Sequence, residues 1–105
     1  MAEHSNSSLI FDVWDVPDGS QPAVLERLRA LSEYVCGLPG FVEARLYESL
    51  NHRRVLSTAL FASVADRQRA GDDPEVGAAL RDLRALAHPQ LSTYELVQEF
   101  HPPGP

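Results

Sequence analysis

Phe41-Val42-Glu43-Ala44-Arg45-Leu46-Tyr47-Glu48-Ser49-Leu50 runs through Asn51-His52-Arg53 into Arg54-Val55-Leu56-Ser57-Thr58-Ala59-Leu60-Phe61, and the reading of this stretch decides the fold. The first run alternates: Val42, Ala44, Leu46 and Leu50 take one side, Glu43, Arg45, Tyr47 and Ser49 the other. A period of two marks a strand, because successive side chains leave opposite faces. Asn51-His52 suits a tight turn, since asparagine tolerates positive φ. Arg54 to Phe61 is then the return strand. A two-residue turn pairs Tyr47 with Leu56, whereas a three-residue loop with a bulge pairs Tyr47 with Ser57 and puts both in one cavity. Both registers fit the sequence.

Working outward, Leu9 to Val16 is rich in β-branched and aromatic residues and closes at Pro17-Asp18-Gly19, which predicts a strand and a turn. Ser20 can cap the helix that follows, with Pro22 in its first turn. Val24, Leu25, Leu28, Leu31, Ser32 and Val35 recur at helical spacing until Gly37 and Pro39-Gly40 stop the run. Downstream, Ser63 with Asp66 three residues on opens a helix. Gly71 breaks it, and Asp73-Pro74 restarts it with the stripe Val76, Leu80, Leu83 and Leu86. His88-Pro89 ends that helix, the histidine lending a cation to its C-terminus, and Leu91 to Phe100 reads as the last strand. Residues 1–8 and 101–105 read as disordered tails around one domain over residues 9–100. The order β-α-β-β-α-β predicts an α+β, ferredoxin-like domain with a four-stranded antiparallel sheet and helices on one side. The other face of that sheet is too apolar to stay wet, which predicts a homodimer pairing two sheets.

The chain has 105 residues and a mass of 11.6 kDa, enough for one domain. Its net charge is −6, and an acidic chain without a basic stripe argues against nucleic acid and anionic membranes as partners. The longest apolar run, Ala59 to Ala62, is too short to span a membrane. One cysteine, Cys36, excludes an internal disulfide, and the four histidines show no metal-ligand spacing. The expectation is a cytoplasmic protein acting on a small molecule or a protein partner, with no metal.

Leu38-Pro39-Gly40-Phe41, Leu60-Phe61-Ala62-Ser63, Gly71-Asp72-Asp73-Pro74, Leu80-Arg81-Asp82-Leu83 and Tyr94-Glu95-Leu96-Val97 together resemble the antibiotic biosynthesis monooxygenase family of dimeric α/β barrel proteins. The likeness covers about residues 9–100 and is nearest to the small anthrone oxidases of aromatic polyketide pathways. It implies a cofactor-independent oxidation in which the substrate's own carbanion reduces oxygen. The protein would supply a dry pocket, a proton acceptor and hydrogen bonds to a phenolate. The chain departs from the oxidases where they carry Asn and Trp on the third strand and Tyr on the next helix. Those positions are Ser57, Phe61 and Arg67 here, and a frequent second-strand histidine falls at Tyr47. No histidine lies between positions 63 and 86, which sets aside the haem-degrading branch. Cyclase or isomerase chemistry, and a non-catalytic binding dimer, stay beside the oxygenase reading.

Tyr47, Arg45 and Asp12 are the candidate catalytic residues. Arg45 shares a face with Tyr47, where it could hold an enolate and lower the tyrosine pKa, or merely pack along it. Asp12 sits in an apolar strand beside Ile10 and Trp14. It is either a buried carboxyl, paired or raised in pKa as would suit a general base, or an edge carboxylate facing water. Trp14, Ser57, Phe61, Arg67 and Tyr94 are the candidate substrate contacts. Trp14 would be a stacking wall or a core residue, Arg67 an attraction for an anionic substrate or a solvated helix residue, and Tyr94 a donor or a packed sheet tyrosine.

Overall fold

A computed structural model describes residues 7–104. Seven elements follow one another: β1 (Ser8–Asp15), α1 (Gln21–Val35), β2 (Phe41–Glu48), β3 (Arg54–Phe61), α2 (Val64–Gly71), α3 (Pro74–Arg84) and β4 (His88–Glu95). The strands form one antiparallel sheet in the order β2-β3-β1-β4. This is the expected α+β, ferredoxin-like arrangement, with the second crossover split into α2 and α3.

Local chemistry explains the helix boundaries. Ser63 caps α2, its Oγ accepting from the Asp66 N–H at 3.1 Å. Asp73 caps α3, accepting from the N–H groups of Glu75 and Val76. The Tyr34 hydroxyl donates to the same Asp73 carboxylate at 2.8 Å, which ties α1 to the break between α2 and α3. Ser20 occupies the N-cap position of α1 as expected, but its side chain makes no capping bond.

The pleat of β1 sorts the sheet into two faces. Ile10, Asp12 and Trp14 point to the helices, with Ala59, Ser57 and Val55 opposite them on β3. Two core clusters fill the space under the helices. Trp14, Val24, Leu28, Val55 and Leu83 build one, and Val35, Phe61, Ala70 and Val76 the other. Leu31 and Leu80 pack against both. Leu9, Phe11 and Val13 point the other way, together with Leu56, Thr58 and Leu60.

The hairpin takes the register that pairs Tyr47 with Leu56 and Leu46 with Ser57. His52 adopts a positive φ of 61° at its tip. Four expectations are corrected. Val42 does not join Ala44 and Leu46 on the helix face: the ladder shifts between Phe41 and Glu43, so Val42 is the extra residue of a bulge and is exposed. Leu50 lies past the end of β2 and is 98% exposed. The last strand runs over His88–Glu95, not 91–100. β4 is an edge strand with one side unpaired, so Pro89 fits within it, and its ladder with β1 runs to Glu95 opposite Ser8. His88 therefore opens a strand rather than closing a helix, since α3 stops at Arg84.

The tail boundary also moves. Ser8 is the first residue of β1, buried between Phe61 and Glu95, while residues 1–6 and 105 lie outside the described residues. Residues 101–104 carry no regular element. No helix among the described residues is long and apolar enough to cross a membrane.

Gly40 provides a test of the β2 entry. Its φ is +77°, and a β-carbon there would overlap the Asp66 carboxyl, which is already held by Ser63 and Arg69. Gly40→Ala is expected to lower stability by about 2 kcal/mol or more, combining left-handed strain with the lost cap. Urea denaturation measures it, and an unchanged midpoint would contradict the packing described.

Candidate functional site

A cavity of about 320 Å³ lies between the sheet and the helix layer. Ile10 and Asp12 of β1, Ser57, Ala59 and Phe61 of β3, and Leu91 of β4 form its floor. Leu28, Leu31, Ser32 and Val35 of α1, Arg67 and Ala70 of α2, and Val76 and Leu80 of α3 close over it. The walls are therefore mostly aliphatic, with Asp12, Ser57, Ser32 and Arg67 as the polar points. A cavity with this lining and size has the character of a small-molecule site.

Asp12 is 8% exposed. Burial pushes its pKa up from 3.8 to about 6, partly offset by the Ser92 backbone N–H, which donates to Oδ1 at 3.4 Å, and by the charge of Arg84. Desolvation disfavours the carboxylate, so near neutral pH this group exchanges its proton readily. Asp12 is therefore a buried carboxyl, not an edge carboxylate facing water.

Trp14 is fully buried and does not line the cavity; it is a core residue, not a stacking wall. Its indole Nε1–H donates to Ser57 Oγ at 3.1 Å. A buried indole N–H needs such an acceptor, and the bond leaves the Ser57 hydroxyl proton free to donate elsewhere. Ser57 is opposite Asp12 in the ladder, so a base and an oriented hydroxyl stand side by side on the cavity floor. Arg67 Nε donates to Ser8 Oγ at 2.9 Å at another part of the wall.

Arg45, Tyr47 and Tyr94 do not reach this cavity. The register that pairs Tyr47 with Leu56 sends Arg45 and Tyr47 to the sheet face away from the helices. Tyr94 is there too, its ring meeting Phe11 edge to face at 5.7 Å. Arg45 does approach Tyr47, with Nη1 3.4 Å from the hydroxyl, but Tyr47 is 47% exposed and Arg45 also pairs with Glu43. The polar set Asp12, Arg45, Tyr47 and Tyr94 is thus divided between two faces. Ser8, Arg84 and the Ser92 N–H are contributors that sequence reasoning missed. Ser8 was findable, since it lies four residues before Asp12 on the same pleat. The other two depend on packing between distant segments. Among the described residues no three His, Cys, Asp or Glu side chains gather as a metal-binding group.

About nine-tenths of the chain superposes on solved structures of low identity. A single-substitution form of SnoaB, a cofactor-independent oxygenase from Streptomyces nogalater, matches with a TM-score of 0.84 at 17% identity, over 90% of this chain and 96% of that one. A Deinococcus radiodurans protein provisionally assigned as an antibiotic biosynthesis monooxygenase matches at 0.81 and 14%, over 92% and 99%. A Nitrosomonas europaea protein with the same provisional assignment matches at 0.79 and 12%, over 92% and 94%. No family model and no curated protein sequence matches the chain. The protein therefore has the fold of the antibiotic biosynthesis monooxygenases.

Two stability measurements check the site. The folded state holds the Asp12 proton more tightly than the unfolded chain, so this contribution is complete below about pH 4 and is lost as pH rises through about 6, by up to about 3 kcal/mol. Asp12→Asn has no charge to bury and is expected to be more stable than the parent at pH 7.5 but not at pH 4, read from urea midpoints. Equal midpoints at both pH values would contradict the buried carboxyl. Ser57→Ala is expected to cost about 1–3 kcal/mol by stranding the Trp14 N–H.

Proposed function

We propose that the protein is a cofactor-independent, oxygenase-type enzyme that binds an aromatic polyketide intermediate between sheet and helices and removes a proton from a phenol-activated carbon. The observation that carries this reading is Asp12, a carboxyl with its pKa raised to about 6 in the wall of an apolar cavity. A general base works best with a pKa near the operating pH, and apolar walls keep water from the carbanion. Asp12 accepts the proton, and the Ser57 hydroxyl, its oxygen already taken up by Trp14, donates to the substrate oxygen on which negative charge develops. Phe61 and the aliphatic residues of α1 and α3 hold the rings flat and dry.

For an anthrone, the resulting carbanion passes its electrons to oxygen. One oxygen atom remains as the new quinone carbonyl, and the other leaves as water with the two hydrogens of the oxidised carbon. The likeness of fold to SnoaB supports this branch. A second branch, capture of the carbanion by an internal carbonyl to close a ring, is favoured by one observation. Ser57, Phe61 and Arg67 line the cavity, and the family resemblance aligns them with the Asn, Trp and Tyr of the oxidases.

The reading includes a homodimer. Leu9, Phe11, Val13, Leu56 and Leu60 lie on the sheet face that no helix covers, and a second copy would bury them together with Arg45, Tyr47 and Tyr94. Sedimentation is expected to give twice 11.6 kDa; a single species of 11.6 kDa would contradict it.

Oxygen uptake by metal-stripped protein with a hydroxylated anthrone tests the chemistry. Quinone formation is expected, with kcat/KM rising with pH through about 6 and falling about 100-fold or more in Asp12→Asn. An undiminished rate in that variant would remove Asp12 from the mechanism. Absence of uptake with ring-closed product would move the assignment to a cyclase, and absence of both would leave a binding protein.

A further inference from the structure

All nine basic side chains are arginines, and eight of them are exposed; Arg67 alone is half-buried. It lies in the cavity wall, and its Nε is committed to Ser8 Oγ, a nearly fully buried hydroxyl at the start of β1. That bond holds the guanidinium plane and leaves the Nη groups for another acceptor, of the kind that grips a carboxylate. Four other arginines are matched by acids: Arg27 by Asp82, Arg45 by Glu43, Arg54 by Asp15 and Arg69 by Asp66. Among the described residues no acidic side chain pairs with Arg67, although the chain carries 15 acidic residues and Asp66 is its immediate neighbour. Asp66 is instead engaged by Ser63 and Arg69.

We infer that the Ser8–Arg67 end of the cavity is an anion seat, and that the ligand is a flat, fused-ring aromatic acid whose carboxylate lies against Arg67. The inference rests on the cavity being the substrate site and adds the class of substrate it takes. An anion among aliphatic walls requires a fixed cation, and Arg67 supplies one whose plane is set in advance. Ser8 and Asp12 are four residues apart on one face of β1, about 13 Å of strand. The cavity of 320 Å³ is roughly twice the size of one known to hold benzene. A single ring cannot engage both ends, whereas two or three fused rings can. Orientation follows from charge: a carboxylate beside Asp12 would set two acids together, so the acid end goes to Arg67 and the reacting carbon to Asp12.

Calorimetric titration of the full chain with anthracene carboxylate and with neutral anthracene carboxamide tests this. The carboxylate is expected to bind at least about tenfold more tightly. Arg67→Met, which keeps the aliphatic packing, is expected to erase that preference, the carboxylate losing at least about tenfold more affinity than the carboxamide. Arg67→Lys, which keeps the charge but loses the fork, is expected to fall between. Equal affinities for the two probes in the unaltered protein would overturn the anion seat and leave the cavity reading standing. Persistence of the preference in Arg67→Met would also overturn it, and failure of both probes to bind would overturn seat and cavity together.

Discussion

The Trp14 indole, fully buried and donating to Ser57 Oγ, locks the face of a strand that is hydrogen-bonded along both edges. β1 pairs with β3 on one side and β4 on the other, so its pleat decides which residues of three strands look at the helices. A slip of one residue would expel Trp14 and bring Phe11 and Val13 beneath the helices. With Trp14 seated, Asp12 is carried to the cavity floor next to Ser57, Ile10 faces Ala59, and Ser8 falls within reach of Arg67. The core and the site are thus set by the same alternation.

That arrangement is not the one that maximises stability. A buried carboxyl, a half-buried arginine with no acidic partner among the described residues, and a cavity in place of packed side chains each work against folding. They stand together in one place, where local rules are broken and no structural gain from breaking them is visible. Such coincidence supports the proposal that a ligand binds here. The apolar surroundings that make Asp12 costly to ionise also bring its proton affinity close to neutral pH, so one physical cause underlies both its expense and its proposed use.

Features that depend on neighbouring residues were legible in the sequence. The caps at Ser63 and Asp73, the break at Gly71 and the alternation of β1 follow from side chains within a few positions, and these are enough for the element order. The facing of Arg45 and Tyr47 was not legible, because both hairpin registers satisfy the sequence and differ only in which side of the sheet they present. Val42 was misplaced for the same reason, since a bulge adds one residue to the pleat without a local signature. In the sequence the last helix reads as ending at His88-Pro89 and the strand as starting at Leu91, because the edge position that admits Pro89 is a property of the whole sheet. Asp12 was recognised as an oddity within an apolar run, but its choice between water and cavity was made by β4 and α3, distant in sequence.

The ionisation of Asp12 is the point on which the account depends. A carboxyl-carbon NMR titration with selectively labelled aspartate, assigned by comparison with Asp12→Asn, measures it directly. The account predicts an inflection near pH 6 for Asp12. An inflection at the ordinary value of 3.8 would mean that water reaches the carboxylate freely, and would contradict both the dry cavity and the role of Asp12 as its base.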